Sequence, residues 1–294
     1  MMANKISVII PTLNAEKELP NILSALHKQT RKIDEIIIVD SESTDKTIQI
    51  CQKDKSVKLM QIARKEFDHG KTRDIAFRAS IGDIVVFMTH DAVPARSNLI
   101  AKLITPLEKG EAILSTARQL PKKDASKMEQ LVRTFNYPDK SHIRSKEDIK
   151  SMGIKAFFCS DVCAAYKRDV YFELGGFDYP IRTNEDMFFA AKVLNAGYKI
   201  AYVADALIYH SHNFTLKEQY QRNYIQGYEI ERHSKELHNV SKGGEGLRLV
   251  KYVSKELLKK GHLISFIHFG FDCCARLLGS RAGKKAYLNN RHLS

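Results

Sequence analysis

Short apolar runs alternate with stretches of helical periodicity over the first third of the chain. Four runs rich in aliphatic and β-branched residues predict strands, at 6–11, 35–40, 57–62 and 83–88. Apolar residues three and four positions apart predict helices between them, at 16–29, 44–52 and 72–79. Continuous apolar strands separated by helices are typical of a mostly parallel sheet that is covered by helices on both faces.

The remainder is less regular. Its pattern predicts a helix at 97–109, a strand at 111–117, a helix at 185–196 and a mostly helical final stretch of about 80 residues. Because sheets of this kind bind ligands at the carboxyl ends of their strands, we expect the site in the segments that follow them: 11–16, 40–45, 63–73 and 89–94.

Polar residues follow the first two predicted strands. Pro11 and Asn14 are typical of a turn, and Thr12 can line a pocket. Asp40 ends the second strand, where its carboxylate can accept a hydrogen bond from the imide N–H of uracil or thymine, and Ser41 begins a run of hydroxyl residues. A plain helix-capping cluster is the alternative interpretation of this second segment.

Two further segments carry charge. His69, Gly70 and Arg73 lie near the start of a predicted helix, which favours either an anion site or an ordinary solvated basic helix start. In THDAVP (89–94), Asp91 either binds a divalent cation, with a bound diphosphate supplying other oxygens, or simply forms a turn.

A pair of carboxylates begins the helix predicted at 185–196. Glu185 and Asp186 can cap that helix, or one of them can act as a general base toward a hydroxyl nucleophile. Beyond a later strand, His210 and His212 offer one metal ligand or line a loop.

The charge balance favours anionic partners. Lys and Arg number 47 against 34 Asp and Glu, a formal charge of +13 over 294 residues. The five cysteines are odd in number and scattered, which predicts a reducing compartment rather than a disulfide framework. Charged residues interrupt the longest apolar stretch, 262–278, so we expect no membrane span.

Five motifs stand in an order and at a spacing that resemble the inverting family-2 glycosyltransferases of GT-A fold: PTLNAE, IIIVDSESTDKT, THDA, GGFD and NED. The resemblance runs from residue 5 to about 233. The segments EFDHGKTRDIAF, MTHDAVP, FFCSDVCAAYKRDVYFELGGFD and YHSHNFTLKEQYQRNY look closer still to bacterial rhamnosyltransferases, which use dTDP-L-rhamnose to build O-antigen, capsule or cell-wall polysaccharides.

This resemblance implies a GT-A fold, a Rossmann-like α/β architecture with a mostly parallel sheet and a helical C-terminal extension. It implies a catalytic domain at 1–240, with a nucleotide-sugar half at about 1–95 and an acceptor half at about 96–240. A basic helical region, 241–294, follows.

The resemblance also implies roles for individual residues. Asp186 is the expected base for the acceptor hydroxyl, with Glu185 beside it, and Asp40 the expected partner of the thymine. The expected nucleotide-sugar site comprises Pro11, Thr12, Asn14, Asp40, Ser41, His69, Gly70, Arg73, His90 and Asp91. Asp91 and His210 are the expected ligands of Mn²⁺ or Mg²⁺. The family's DxD motif is Thr89-His90-Asp91 here, so one carboxylate is missing and Arg73 would carry more of the phosphate charge.

The C-terminal region concentrates the positive charge, with eleven Lys and Arg against three Asp and Glu in 241–294. The pattern predicts a basic amphipathic helix that lies on an anionic membrane surface. Its apolar face consists of residues at near-helical spacing: Leu247, Val250, Val253, Leu257, Ile264, Ile267 and Phe271. Packing of this face on the catalytic domain or on a second subunit is the alternative, and a membrane-bound homodimer accommodates both.

Together these features predict a cytoplasmic enzyme on the inner face of the cell membrane, which transfers L-rhamnose to a polyprenyl-linked saccharide acceptor. The same fold with a UDP-hexose or UDP-N-acetylhexosamine donor is the alternative. A non-catalytic nucleotide-sugar-binding subunit is more remote. A nucleic-acid-binding protein is equally remote, because no recognition module appears and the excess charge lies in the tail.

Overall fold

The computed structural model describes residues 4–238, 240 and 243–291. Within them, one sheet contains nine strands: β1 (Ile6–Thr12), β2 (Glu35–Asp40), β3 (Val57–Gln61), β4 (Ile84–Met88), β5 (Val93–Pro94), β6 (Leu114–Leu120), β7 (His142–Arg144), β8 (Cys163–Lys167) and β9 (Ile200–Tyr209).

The helices in these residues are α1 (Leu19–His27), α2 (Thr47–Lys53), α3 (His69–Ala79), α4 (Leu99–Glu108), α5 (Lys127–Asn136), α6 (Ile149–Met152), α7 (Arg168–Glu173), α8 (Glu185–Asn195), α9 (Leu216–Arg232), α10 (Gly243–Lys259) and α11 (Leu263–Arg291). Short 3₁₀ turns lie at Arg64–Glu66, Lys146–Asp148 and Gly153–Phe157.

The strand order is β3-β2-β1-β4-β8-β6-β9-β5, and β7 also pairs with β9. The first four strands are parallel, as predicted. Beyond β4 the sheet is mixed, because β8 runs antiparallel to both β4 and β6, and β5 and β7 run antiparallel to β9. The expectation of a mostly parallel sheet therefore holds for β1 to β4 and for the pairing of β6 with β9, but not for β5, β7 and β8, since hydrophobic runs do not encode strand direction.

The predicted boundaries agree closely with the structure in the first half. The strand predicted at 35–40 has the same first and last residues as β2, while β1 ends at Thr12, one residue later than predicted. Helix α3 begins three residues earlier than predicted. Its start is fixed by Asp68, whose carboxylate accepts hydrogen bonds from the backbone N–H groups of Gly70 and Lys71.

Two hydrophobic cores lie on opposite faces of the sheet. On β1, Val8 and Ile10 belong to the core beneath α1 and α4, whereas Ile9 belongs to the core beneath α3 and α8. The second core is aromatic, with Phe77 stacked on Tyr171 at 3.7 Å between ring centroids. These two layers hold the carboxyl ends of β1, β2 and β4 side by side.

The C-terminal region does not form the single amphipathic face that we expected. A turn at Gly261 (φ 72°) separates α10 from α11. Val253 and Leu257 are fully buried against α5 and Phe269, whereas Ile264, Ile267 and Phe271 are between 59% and 87% exposed. Hydrophobic spacing cannot show which apolar residues find a partner within the fold.

Glycines bring α11 into close contact with α9. A Cβ atom at Gly283 would lie 1.9 Å from the carbonyl oxygen of Tyr224, and one at Gly279 would lie 2.3 Å from that of Tyr220. Gly279 and Gly283 are four residues apart, so both lie on one face of α11. The predicted boundary after 240 falls where residues 239, 241 and 242 lie outside the described residues.

One helix in the described part of the chain, residues 263–290 of α11, is long and apolar enough to cross a membrane by length and composition, since an 18-residue window within it has a mean hydropathy of 1.2. This criterion tolerates Asp272 and Arg276, the two charges within the run, and does not contradict the expectation that the chain has no membrane span. The charges that interrupt the run neutralise each other, since Arg276 Nε lies 2.6 Å from Asp272 Oδ2.

Candidate active site

The predicted nucleoside residues meet where β1 and β2 end. Thr12 and Asp40 are register partners, and the Thr12 hydroxyl donates to Asp40 Oδ2 at 3.0 Å. Asp40 also accepts from the backbone N–H and the hydroxyl of Ser43, at 2.9 and 2.5 Å. Its carboxylate is fully buried and holds the following loop in place. Its contact with a base stays a prediction.

Asn14 and Ser41 complete this loop. Asn14 has a positive φ of 50°, and its side-chain oxygen accepts from the backbone N–H of Thr44 at 2.9 Å. Ser41 donates from its hydroxyl to the carbonyl oxygen of Thr12 at 3.0 Å. The loop after β2 is thus tied to the loop after β1. Pro11 is buried in β1, one residue before Thr12.

A second group lies beyond β4. Asp91 Oδ2 is 3.3 Å from His210 Nε2 and 3.2 Å from His212 Nε2. One ligand atom from each of these three residues lies within 4.8 Å of the others. His90 is half-buried beside them in the turn after β4. The structure therefore brings together Asp91 and His210, as expected, and adds His212 as a third potential ligand.

Hydrogen bonds fix the tautomer of His210. Its Nδ1 lies 2.9 Å from Gln119 Oε1, and the same oxygen accepts from Arg133, which can only donate. His210 Nδ1 must therefore carry a proton, so that in the neutral ring Nε2 directs a lone pair toward the Asp91 carboxylate. Two facing acceptors repel each other unless a cation or a proton lies between them.

The protonation states suit a cation. Burial lowers the pKa of His210, and it lowers the pKa of His212 to about 4, so both rings are neutral near pH 7. Although burial opposes it, the pKa of Asp91 lies well below its usual range, because at the low pH where this carboxyl group titrates the His210 ring is protonated and donates to it. One carboxylate and two neutral imidazoles form a ligand set that fits a divalent cation.

The third group is a buried cluster of charges around Arg73. Arg73 Nη1 lies 3.1 Å from Glu185 Oε1, and Arg73 Nε lies 3.3 Å from Asp161 Oδ2. All three side chains are at most 5% exposed. Burial lowers the pKa of Arg73, but the Glu185 and Asp161 carboxylates more than reverse this, and the guanidinium stays charged. Arg73 is thus directed to carboxylates, and its contact with a diphosphate stays a prediction.

Asp186 lies at the open side of this cluster, where it is partly exposed. Its Oδ2 accepts from the backbone N–H of Asp161 at 3.0 Å, and its Oδ1 accepts from that of Met187 at 2.7 Å. Burial, followed by the Glu185 charge, raises the pKa of Asp186 to about 7. A carboxylate with such a pKa can accept a proton near neutral pH.

His69 and Gly70 lie at the edge of the cluster. His69 Nδ1 is 3.8 Å from Glu185 Oε1, and the side chain is 41% exposed. Gly70 has a structural reason to be glycine, since a Cβ there would lie 2.2 Å from the carbonyl oxygen of Asp178. Its predicted contact with the nucleotide stays a prediction.

Sequence reasoning missed Asp161, Gln119 and Arg133. Asp161 lies in CSDVC between two cysteines, a context that gives no catalytic pattern, and Gln119 and Arg133 lie in an ordinary strand and helix. Their place in the site results from contacts with residues far away in the chain.

The fold and the three groups at one edge of its sheet define a glycosyltransferase of GT-A type. The whole fold resembles a mannosyltransferase from Pyrobaculum calidifontis solved with GDP-Man and Mn²⁺ (15% identity, TM-score 0.66, 96% of this chain and 87% of that one). It also resembles Staphylococcus aureus TarS 1-349 (16% identity, TM-score 0.59, 97% and 92%). At this identity the likeness concerns the fold.

The chain belongs to glycosyl transferase family 2, whose model matches residues 7–175. It is 40% identical over 265 residues to the O-antigen chain rhamnosyltransferase RfbN of Salmonella typhimurium, covering 87% of this chain and 82% of that one. It is 39% identical to the O-antigen chain rhamnosyltransferase WbaN of Salmonella anatum, covering 86% and 81%. The family and fold predicted from the sequence motifs are confirmed.

Proposed function

We propose that the protein transfers L-rhamnose from dTDP-L-rhamnose to a lipid-linked saccharide in O-antigen synthesis. The observation that carries this proposal is the 40% identity with an O-antigen chain rhamnosyltransferase over most of both chains. We assign the donor to residues 1–95 and the acceptor to residues 96–240, since Thr12 and Asp40 end β1 and β2 and Asp91 follows β4.

In this proposal Asp186 is the general base. It is partly exposed, and its two oxygens accept hydrogen bonds from backbone N–H groups. These bonds fix the position of the carboxylate without an ion pair. The acceptor hydroxyl attacks the anomeric carbon opposite the leaving diphosphate, and Asp186 takes the hydroxyl proton as the new C–O bond forms. The diphosphate leaves with the electron pair of the broken bond, so the anomeric configuration inverts.

Asp91, His210 and His212 are the proposed ligands of Mn²⁺ or Mg²⁺. A divalent cation held by these residues would neutralise charge on the diphosphate. Gln119 orients His210 by accepting a hydrogen bond from its Nδ1–H, and this leaves Nε2 available for coordination. The missing first carboxylate of the DxD motif is replaced in this assignment by two imidazoles.

The donor is tested by measuring binding and turnover with dTDP-L-rhamnose, UDP-glucose, UDP-galactose and UDP-N-acetylglucosamine, with and without Mn²⁺ and Mg²⁺. We expect turnover with dTDP-L-rhamnose alone, and dependence on the cation that Asp91→Ala abolishes. Preference for a UDP-sugar would overturn the rhamnose assignment and leave the family unchanged.

We further propose that α11 lies on the cytoplasmic surface of an anionic membrane. Ile264, Ile267, Phe271 and Leu278 form an exposed apolar stripe, and Lys284 and Lys285 follow it. The opposite face packs along α9, a helix rich in charged residues, through Gly279 and Gly283. This contact favours a helix that lies on the membrane surface over one that spans it.

Flotation with vesicles that contain phosphatidylglycerol tests this placement. We expect the wild type to float at physiological salt and the triple variant Ile264→Ser, Ile267→Ser, Phe271→Ser to remain in the dense fraction. Ile81→Ser, an equally apolar side chain that is 56% exposed elsewhere, is the matched control and should float. Flotation of the triple variant would contradict the proposal that this apolar stripe binds the membrane. It would favour the alternative, in which the stripe packs against a second subunit of a homodimer.

A further inference from the structure

Two arginines in the described part of the chain are at most 5% exposed, and they differ in their partners. Arg73 lies between the carboxylates of Glu185 and Asp161. Arg144, on β7, is 3% exposed and forms no ion pair with any described residue. Its Nη1 donates to the carbonyl oxygen of Lys155 at 2.8 Å. Because a buried charge without a counterion is unfavourable, the isolated guanidinium of Arg144 suggests a binding role.

The two remaining nitrogens of Arg144 have a geometry that fits an oxyanion. Nε and Nη2 are buried and have no hydrogen-bond partner among the described residues. These nitrogens form one edge of the planar guanidinium, and that edge can donate two parallel hydrogen bonds to a carboxylate or a phosphate. Burial lowers the pKa of Arg144 to about 10, so the group is still charged near pH 7.

The acidic side chains around this guanidinium are engaged elsewhere. Asp148 Oδ2 accepts hydrogen bonds from the backbone N–H and the hydroxyl of Ser145, at 2.8 and 3.0 Å. Glu245 of α10 pairs with Lys155 at 2.7 Å. The thiol of Cys159, a further neighbour, is neutral because burial raises its pKa well above the usual range. An anion from outside the chain would therefore stabilise the buried cation.

The side chain of Arg144 lines a cavity of about 220 Å³ beside β7 and β9. The wall is mostly apolar and includes four rings, those of Phe135, Phe158, Tyr202 and His142. Burial lowers the pKa of His142, so this ring is neutral near pH 7. The cavity is smaller than the pockets of about 300–1,000 Å³ that are usual for drug-sized ligands, which indicates a small occupant.

This cavity is separate from the predicted nucleoside and cation groups. In the strand order, β9 is the fifth strand from β2, and neighbouring strands lie about 4.8 Å apart, so about 24 Å of sheet separates Tyr202 from Asp40. Tyr202 lies near the start of β9, whereas His210 of the cation triad follows its end. The nucleotide and the cation would therefore leave Arg144 without a partner.

We propose that this cavity binds a small organic anion, with its phosphate or carboxylate group on the Nε and Nη2 edge of Arg144 and its apolar part against Phe135, Phe158 and Tyr202. The guanidinium edge orients the anionic group, and burial of the apolar part adds binding energy that a bare inorganic ion lacks. The site is independent of the donor sugar and of the general base, so it stands or falls separately from the proposed function.

Calorimetric titration of the full chain tests the site, with excess dTDP present to occupy the donor site. The probes are phenyl phosphate, benzoate and geranyl phosphate, which distinguish a small phosphate, a carboxylate and a lipid phosphate. We expect at least one of them to bind at millimolar concentration or below. Benzyl alcohol, which keeps the ring and lacks the charge, should bind at least about 10-fold more weakly. Binding of none of the three anions, or equal binding of benzyl alcohol, would overturn the proposal.

Arg144→Met assigns the binding to this cavity. It removes the guanidinium and keeps an unbranched apolar side chain, so affinity for the anion that binds best should fall by roughly 10–100-fold. Arg31→Met is the matched control, because Arg31 also has an unpartnered Nε but pairs with Glu108 at 3.1 Å. It should bind the anion as the wild type does. Equal affinities in the two variants would show that the anion binds elsewhere.

Thermal unfolding monitored by circular dichroism shows whether Arg144→Met folds. If it does not, a crystal structure of the wild type with the best-binding anion replaces it. We expect the anionic group within hydrogen-bond distance of both Nε and Nη2 of Arg144. An anion bound at another place, or no bound anion, would overturn the proposal.

Discussion

Asp91 and Asp186 lie in two clusters of the candidate active site and have opposite environments. Asp91 faces two imidazoles, and its pKa lies well below its usual range. Asp186 shares a single guanidinium with two more carboxyl groups, and its pKa is raised to about 7. The same side chain is thus suited to binding a cation in one cluster and a proton in the other. The neighbours decide which.

Asp186→Asn is the change with the largest expected effect. We expect turnover to fall by roughly 10²–10⁴, the usual range for a lost acid–base group, with donor affinity unchanged. Initial rates and calorimetric donor binding measure the two quantities. The exposed carboxylate of Asp205 provides the control, since Asp205→Asn should keep normal turnover. Near-normal turnover of Asp186→Asn would show that Asp186 is not the general base, so the two clusters would no longer differ in role.

Asp91→Asn tests the proposed cation-binding role of the other cluster. Because it removes the anionic ligand of the triad, we expect affinity for Mn²⁺ to fall by more than about 100-fold, beyond the range for an outer partner. Metal titration followed by the electron spin resonance signal of free Mn²⁺ measures this. Asp205→Asn again serves as control. Unchanged Mn²⁺ affinity would show that the cation does not bind at this triad.

Gln119→Leu sharpens the comparison by leaving every ligand in place. Loss of the acceptor for His210 Nδ1–H frees the ring to adopt the other tautomer, so Mn²⁺ affinity should fall by about 10–100-fold. Gln130→Leu, on the neighbouring α5, should bind Mn²⁺ normally. Equal affinity in the two variants would argue against the assigned tautomer.

The smallest expected effect is on stability. An Asp whose folded-state pKa is about 7 holds its proton more tightly in the folded state, so the wild type loses stability as pH rises from about 4 to 7. Asp186→Asn lacks this loss. The difference in free energy of unfolding, variant minus wild type, should therefore be about 2 kcal/mol larger at pH 8 than at pH 5, so the variant gains stability relative to the wild type as pH rises. Urea denaturation at the two pH values measures the difference, and a constant difference would contradict the raised pKa.

The local residue pattern was sufficient for much of the first half. The strand at 35–40 and the polar residues after β1, β2 and β4 follow from hydrophobic runs and turn residues, which are properties of neighbours in the chain. Asp91 and His210 were placed together correctly. By contrast, the residue pattern put Val253 and Leu257 on the same face as Ile264, whereas both are buried against α5, as in the packing alternative that the pattern left open.

The family, the buried strands of the first third and the polar residues that end them follow from the residue pattern alone. That Gln119 orients His210, 91 residues away, and that Arg73 pairs with Asp161 and Glu185 are results of the folded arrangement. It also decided that Gly279 and Gly283 press α11 against α9, which leaves the opposite face of α11 exposed. The reason is the sequence separation over which each interaction acts. Periodicity and turn chemistry act between neighbours, whereas partners for buried charge depend on which strands and helices become adjacent in the fold.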